Sequence, residues 1–357
     1  MKIKIQKQKN LIDYYGFTKT EQKKYPVITR ILKQLTPGRI EKEIREIQKI
    51  KLPPELQKWV KEYEKVGERN ELVWKMAFKA SEIIEFSTEL KKYSVSLQNT
   101  KFLISMFNVL LDDIADKIQS KRFLNEILKI PFEKKNIKFN RLNLEEKNYL
   151  KFTIKVWQNI NKTIQKFPQY KEFKELLEYN IRQLLNGMRY SHLINKKPYF
   201  INKTESCLYL SASICSMQIL AYFTLDFMCF SKLIIKEFRR LREIVWRAQE
   251  MTRNGNWIFT WKEEIEDNDF TSGVFAYAID FNFFTINDLK IQNTSEIAKT
   301  IIHSKIEKKL LKEWNDNYHE INKISKEIKN RGIKKYLFGL KKLLILNFSI
   351  NNIKIKE

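Results

Sequence analysis

The scarcity of turn-forming residues constrains the fold of this chain more than any other feature. Its 357 residues include only 8 glycines and 7 prolines. Proteins built from many short strands need these residues at their turns, and collagen-like or low-complexity chains need many more of them. Hydrophobic residues make up 43% of the chain and aromatic residues 13%, which excludes a disordered chain and suffices for a large core. The sequence therefore predicts an all-α fold.

The seven prolines also set the expected lengths of the helices. All of them lie in the first 198 residues. Because proline interrupts helix interiors, helices should be of moderate length up to Pro198 and can be longer after it. Stretches such as WVKEYEKV have the i, i+3, i+4 and i+7 apolar spacing of an amphipathic helix. We predict helices over residues 40–50, 54–67, 69–93, 98–120, 143–166, 170–189, 204–230, 232–266, 294–327 and 330–348.

The chain carries 67 Lys and Arg against 42 Asp and Glu, a formal net charge of +25. Such an excess suits proteins that bind nucleic acids or anionic membranes. Here, however, the basic residues are spread over the whole chain, and the aromatic residues lie in apolar surroundings. A nucleic-acid site needs the two types clustered together. We therefore expect solvated helix faces that attract anions, including diphosphates, and no nucleic-acid partner.

Two further features bear on the compartment. Cys207, Cys215 and Cys229 have no metal-binding spacing, so we expect them to be core residues in a reducing compartment. The N-terminus, MKIKIQKQKN, is charged but is not followed by the apolar run of a secretory signal. We therefore expect a cytoplasmic protein.

Residues 208–230 are apolar all round, and Asp226 is their only charged residue. About 20 such residues suffice to span a bilayer. The segment also contains serines, Gln218 and Thr224, and the chain has no second run of this kind. We expect a buried central helix that lines a cavity, and no stable insertion into a membrane.

The sequence LLDDIADK, residues 110–117, gathers three aspartates at the end of an apolar run. On a helix, Asp112 and Asp116 lie within about 40° of each other, with Asp113 beside them. Clustered carboxylates raise one another's pKa unless a cation intervenes, and Mg²⁺ characteristically binds one or two carboxylates together with phosphate oxygens. The cluster is therefore either an exposed acidic helix end or a cation site.

A second group of oxygen donors lies in NWIFTWKEE, residues 256–264. Asn256, Thr260 and Glu264 recur at i, i+4 and i+8, so they line one face of a helix. An amide, a hydroxyl and a carboxylate together suit a hard cation. Because Trp257 and Trp261 flank the stripe, we expect it to face away from bulk water. Glu263 is a lesser alternative ligand.

The ordered pair of motifs resembles that of class I terpene synthases of the microbial type. A DDxxD motif is followed 144 residues later by N-x-x-x-(S/T)-x-x-x-E, and the resemblance covers roughly residues 70 to 340. It implies a single-domain α-helical bundle in which the two motifs face each other across the mouth of an apolar pocket. Three Mg²⁺ ions would bind there and hold a linear prenyl diphosphate, farnesyl or geranylgeranyl diphosphate.

The implied activity is that of a terpene cyclase, a carbon–oxygen lyase acting on phosphates. The substrate would ionise, its carbocation would cyclise, and diphosphate would be released. The catalytic bundle would span residues 69–348, with a helical N-terminal segment (1–68) packed on it and a C-terminal tail (349–357). A homodimer is one expected assembly.

The resemblance also implies roles for individual residues. Expected metal ligands are Asp112, Asp113, Asp116, Asn256, Thr260 and Glu264. Aromatic faces can stabilise a carbocation by about 0.5 to 2 kcal/mol each, so catalytic roles extend from Asp112 and Asp116 to the aromatic wall candidates Phe86, Phe107, Tyr209 and Trp257. The diphosphate-sensing arginine of many bacterial members is missing from residues 209–213. The expected diphosphate contacts are Arg189, Arg253, Lys335 and Tyr336, with Arg247 as an alternative.

Two other classes stay open. Another isoprenoid diphosphate enzyme, such as a chain-elongating prenyltransferase, would carry a second aspartate-rich motif. The densest acidic cluster after residue 200 is KEEIEDND, which lacks the DDxxD form. A non-enzymatic helical binding protein is the remaining alternative.

Overall fold

The computed structural model describes residues 10–86, 92–118, 120–202, 217–230, 235–291, 293–328 and 332–354. All regular secondary structure in these ranges is helical, which confirms the predicted all-α class. The α-helices are α1 (Leu11–Tyr14), α2 (Lys19–Lys24), α3 (Pro26–Gln34), α4 (Pro37–Gln48), α5 (Pro54–Tyr63), α6 (Glu71–Ile83), α7 (Ser94–Asp112), α8 (Lys121–Ile127), α9 (Leu144–Ile164), α10 (Tyr170–Lys196), α11 (Ile219–Met228), α12 (Ile235–Glu266), α13 (Gly273–Asp280), α14 (Ile286–Ile291), α15 (Thr294–Ser304), α16 (Ile306–Ser325) and α17 (Gly332–Lys354).

Short helical pieces complete the described secondary structure. A π-helical turn, Asp113–Ile118, continues α7. Three 3₁₀ turns lie at Lys134–Asn136, Phe139–Arg141 and Pro198–Phe200.

The N-terminal prolines begin helices. Pro26, Pro37 and Pro54 occupy the first turns of α3, α4 and α5. The missing N–H costs nothing there, because the first N–H groups of a helix have no partner within the helix. The amphipathic period did not predict α1 to α3, α8, α13 or α14, all of which have fewer than ten residues.

Two of the predicted helices extend well beyond the helices of the structure. The helix predicted over 294–327 is two helices, because Lys305 adopts the left-handed conformation with φ of 60° and separates α15 from α16. The helix predicted over 69–93 ends at Ile83.

The apolar segment 208–230 is described only from residue 217 onward, and there it contains α11. Every residue of α11 is buried, and the helix contacts both α7 and α12. Residues 203–216, which include Cys207, Tyr209 and Cys215, lie outside the described residues. Cys229 is buried, as expected. Among the described residues, none of the helices combines the length and the apolar character that crossing a bilayer requires.

Helix packing sets the positions of the two motifs. The first motif follows α7, which packs on α6 and α9, and its π-turn contacts α10. The second motif lies near the end of α12, which packs along α16 and α17. The N-terminal helices cover α16: the Ile28 N–H donates to Asn315 Oδ1 at 3.2 Å, and Glu21 forms an ion pair with Lys308 at 2.7 Å.

Candidate active site

The aspartates of the first motif straddle the junction between α7 and the π-turn. Asp112 ends the α-helix, and Asp113 and Asp116 lie within the turn. π-Turns are rare and occur frequently at functional sites. The side chain of Asp112 is 40% exposed and that of Asp113 is 11% exposed, so the three carboxylates do not share one environment.

Asp113 is held by residues of the N-terminal half. Arg69 Nε donates to its Oδ1 at 2.8 Å, and the Tyr63 hydroxyl donates to its Oδ2 at 2.9 Å. Burial raises the pKa of Asp113, and the Arg69 charge opposes that rise. Asp113 was predicted as a metal ligand. In the structure both of its oxygens accept hydrogen bonds from protein groups, which anchor the turn, and its role as a metal ligand stays a prediction.

Asp112 lies on the open side of the motif and is 40% exposed, whereas Asp116 is partly buried. Burial raises the pKa of Asp116 well above its ordinary range, and repulsion from Asp269 and Asp112 adds to the rise. A bound cation would favour the ionised form of the Asp116 carboxyl group.

Glu264 connects the second motif to the first. Burial raises its pKa to about 8, and repulsion from Asp269 and Asp112 adds to the rise, whereas Arg253 opposes it. Its Oε2 is buried and has no hydrogen-bond partner among the described residues. The repulsion from Asp112 indicates that the fold brings the two motifs together, although their residues are far apart in the sequence.

Arg253 organises the remainder of the second motif. Its Nη1 donates to Asn256 Oδ1 at 2.7 Å, and its guanidinium lies 5.2 Å from the centre of a Trp257 ring. The Thr260 hydroxyl donates to the Asn256 carbonyl at 3.0 Å, and its oxygen can still accept. Among the predicted diphosphate contacts, Arg253 therefore lies beside the carboxylates.

The other predicted diphosphate contacts lie elsewhere. Arg189 is exposed and donates to Asn186 on its own helix at 3.0 Å. Lys335 forms an ion pair with Glu85 at 2.6 Å, and the ring of Tyr336 is buried 5.5 Å from that of Phe86.

The position of Tyr336 follows from the contacts around Phe86. The Phe86 N–H donates to Asp226, which pairs with Lys101 of α7. Lys101 precedes Asp112 by eleven residues, about 16 Å along the helix. The structure therefore does not bring Lys335 and Tyr336 to the carboxylates. Arg247, the alternative, bonds Glu243 and Asn317.

Of the predicted aromatic wall residues, Phe86, Phe107 and Trp257 belong to the described part of the chain, and all three are buried; Tyr209 lies outside it. Phe107 packs against Trp157 with ring centres 4.8 Å apart, one to two turns below Asp112. Trp257 is fully buried beside the second motif. Phe86 packs with Phe223, 5.6 Å away, near the far end of α7. Of the three described candidates, Phe107 and Trp257 are thus closer to the carboxylates than Phe86 is.

Sequence reasoning missed three residues of the site. Asp269 follows α12, and its N–H donates to the Glu264 carbonyl at 2.7 Å, so the loop turns back on the motif. Its Oδ1 accepts from the Thr271 N–H at 3.0 Å. The KEEIEDND cluster that contains Asp269 was considered only as a failed aspartate-rich motif. Arg69 and Tyr63 carried no signal, because their contacts with the motif depend on the tertiary fold.

The donor chemistry of the site fits Mg²⁺. Asp112, Asp116 and Glu264 supply hard oxygen ligands, and the buried Glu264 Oε2 lacks a partner that a cation would provide. The described residues do not, however, include three or more His, Cys, Asp or Glu side chains already arranged around one metal position. Metal binding would therefore require these carboxylates to move closer together.

Comparisons with protein-family models, with curated proteins and with solved structures gave no significant match to this chain.

Proposed function

We propose that this protein is a Mg²⁺-dependent class I terpene synthase that ionises a linear prenyl diphosphate and cyclises the resulting carbocation. The observation that carries the proposal is the convergence of Asp112 and Asp116 with Glu264 in an all-helical bundle. The pair of motifs is specific in its order and spacing, and the fold brings its carboxylates within repulsive reach of one another.

The chemistry assigns a task to each part of the site. Asp112, Asp116 and Glu264, with Asn256 and Thr260, would hold Mg²⁺, which when bound acts as a Lewis acid on the diphosphate leaving group. Cleavage of the bond between C1 and oxygen leaves a carbocation that must be kept from water, which a buried apolar setting provides.

Other side chains support this task. The guanidinium of Arg253 orients the Asn256 amide and supplies positive charge toward an anionic group. The faces of Phe107 and Trp257 can stabilise positive charge by about 0.5 to 2 kcal/mol each when desolvated. Loss of a proton or capture of water then ends the reaction as a hydrocarbon or an alcohol.

The test is an assay of the purified protein with Mg²⁺ and geranyl, farnesyl or geranylgeranyl diphosphate. We expect cyclic hydrocarbons or alcohols in an organic extract, release of diphosphate, and no turnover in excess chelator. Turnover that persists in chelator would contradict the metal-dependent mechanism. A longer prenyl diphosphate formed when isopentenyl diphosphate is added would favour the prenyltransferase alternative.

Asp112→Ala should lower turnover at least 100-fold, because it removes a carboxylate on the open side of the motif. Its fold should be retained, since one of several mutually repelling charges is lost. The matched control is Asp13→Ala, which removes an exposed aspartate in α1 and should leave turnover unchanged. If Asp112→Ala turns over substrate at the rate of the control, the aspartate cluster is an ordinary acidic helix end and not a cation site.

A further inference from the structure

The end of α5 and the loop that follows it form hydrogen bonds with the aspartates of the first motif. The Tyr63 hydroxyl donates to Asp113 and accepts from the Arg69 N–H at 3.2 Å, so one buried phenol joins the loop to the turn. A Cβ atom on Gly67 would overlap the Tyr63 ring, and glycine is therefore required for this closure. Both ends of the segment 63–69 therefore form hydrogen bonds with Asp113.

Arg69 makes two unequal contacts from this loop. Its Nε lies 2.8 Å from Asp113 Oδ1, where the carboxylate is 11% exposed. Its Nη2 lies 3.4 Å from Asp112 Oδ2, where the carboxylate is 40% exposed. Because short, buried, charge-assisted hydrogen bonds are stronger than long, exposed ones, the contact with Asp112 should break first.

We propose that Arg69 is a positioning residue that neutralises Asp112 in the free protein and yields this carboxylate to a divalent cation, while it remains bound to Asp113. The guanidinium and the cation compete for Asp112. Arg69 therefore determines the concentration at which a divalent cation binds to the aspartate motif. This inference rests on the proposed function only for the statement that Asp112 binds a cation.

The experiment measures Mn²⁺ binding to the full chain without substrate, from the electron paramagnetic resonance signal of the free ion. Arg69→Gln removes the competing charge and should tighten binding roughly five- to twenty-fold. Arg69→Lys keeps the charge but loses the fork that contacts both carboxylates, so its binding should lie between that of the wild type and that of Arg69→Gln. The matched control is Arg240→Gln, which removes an exposed arginine paired with Glu327 and should not change binding.

The direction of the change separates this role from simple structural damage, which would weaken binding. If Arg69→Gln does not fold, Arg69→Met replaces it in the test. This variant retains the packing of the aliphatic stem, removes the charge and should also bind Mn²⁺ more tightly. If both charge-removing variants bind Mn²⁺ no more tightly than the wild type, while Asp112→Asn binds more weakly, the competition is refuted and the proposed function stands. If the wild type and all variants fail to bind Mn²⁺, with and without inorganic diphosphate, both proposals fail.

Discussion

Glu264 holds a carboxylate oxygen in a buried position beside two other acidic side chains. Its pKa of about 8 lies above its ordinary value of 4.5, so the folded protein binds this proton more tightly than the unfolded chain does. The stabilisation is complete below pH 4.5 and is lost as the pH rises to about 8. In chelator, the free energy of unfolding should therefore fall by on the order of 5 kcal/mol across this window.

Glu264→Gln should remove most of that pH dependence, because the amide stays neutral. Thermal unfolding followed between pH 5 and pH 8 in chelator measures the effect. The matched control is Glu266→Gln, which changes an exposed residue two positions later and should leave the wild-type slope. Equal slopes for the two variants would show that Glu264 does not repel its neighbours in the folded protein.

At the scale of single residues, the sequence was informative where chemistry repeats at helical spacing. Asn256, Thr260 and Glu264 could be placed on one face from their spacing alone. The role of Asp113 could not, because it depends on Tyr63 and Arg69, which lie 50 and 44 residues away in the chain. Asp269 was missed because the turn that directs it back to Glu264 includes Asn268 in the left-handed conformation, which has no periodic signature.

At the scale of helices, α13 begins so close to α12 that only glycine fits. A Cβ atom on Gly273 would lie 2.6 to 2.8 Å from three ring atoms of Trp257. Gly273→Ala should therefore displace this ring and lower the free energy of unfolding by about 1 to 3 kcal/mol. Urea denaturation measures the loss. Gly38→Ala, where no atom lies within 4 Å of the new Cβ, should be neutral or slightly stabilising, and equal losses would argue against tight packing at Trp257.

A buried ion pair joins α7 to α11. Lys101 Nζ lies 2.5 Å from Asp226 Oδ1, and both side chains are 1% exposed. Lys101→Met should lower the free energy of unfolding by about 3 to 5 kcal/mol, because it leaves a buried carboxylate without its partner. The double variant Lys101→Met with Asp226→Asn should recover part of that loss, since the amide still accepts from the Phe86 N–H.

The control for this pair is Lys155→Met, whose ion pair with Glu62 is exposed and should contribute less than about 1 kcal/mol. Chemical denaturation of the four proteins gives the comparison. A loss at Lys101 no larger than that at Lys155 would mean that water reaches the pair.

The helix α9, which has a long amphipathic period, was predicted to within two residues, over 143–166 against the observed Leu144–Ile164. The helix α10, predicted over 170–189, extends seven residues further, to Lys196. The break at Lys305 was not predictable, because the sequence there has neither proline nor glycine and the backbone conformation is imposed by packing. The helices α1 and α2 have side-chain N-caps, and α3 packs against α16, which a periodic pattern does not report.

At the scale of the molecule, several contacts join the N-terminal segment to the bundle. Asn315 accepts from the Ile28 N–H in a buried position, Glu21 binds both Lys308 and Lys312, and Tyr63 contacts the aspartate motif. We therefore expect one cooperative unfolding transition, with circular dichroism and tryptophan fluorescence giving the same midpoint. Deleting residues 1–50 should lower the melting temperature by at least 10 °C or cause aggregation, because it exposes the apolar faces of α16 and α17.

An internal point-substitution control, Lys49→Ala, changes an exposed residue of the same segment and should melt as the wild type does. Two separate transitions, or a truncated chain with an unchanged melting temperature, would show that the segment is an independent unit.

The π-turn after α7 has a consequence for how this chain could change in evolution. A turn with i to i+5 hydrogen bonds contains one residue more than the α-helical turn that it replaces. Loss of a single residue between Asp112 and Asp116 would allow a regular α-helix and would shorten the spacing of the two aspartates from four residues to three. Insertions and deletions within this turn should thus be far more harmful than substitutions at Ile114 or Ala115 that preserve size, and length in this turn should be under stronger selection than side-chain identity.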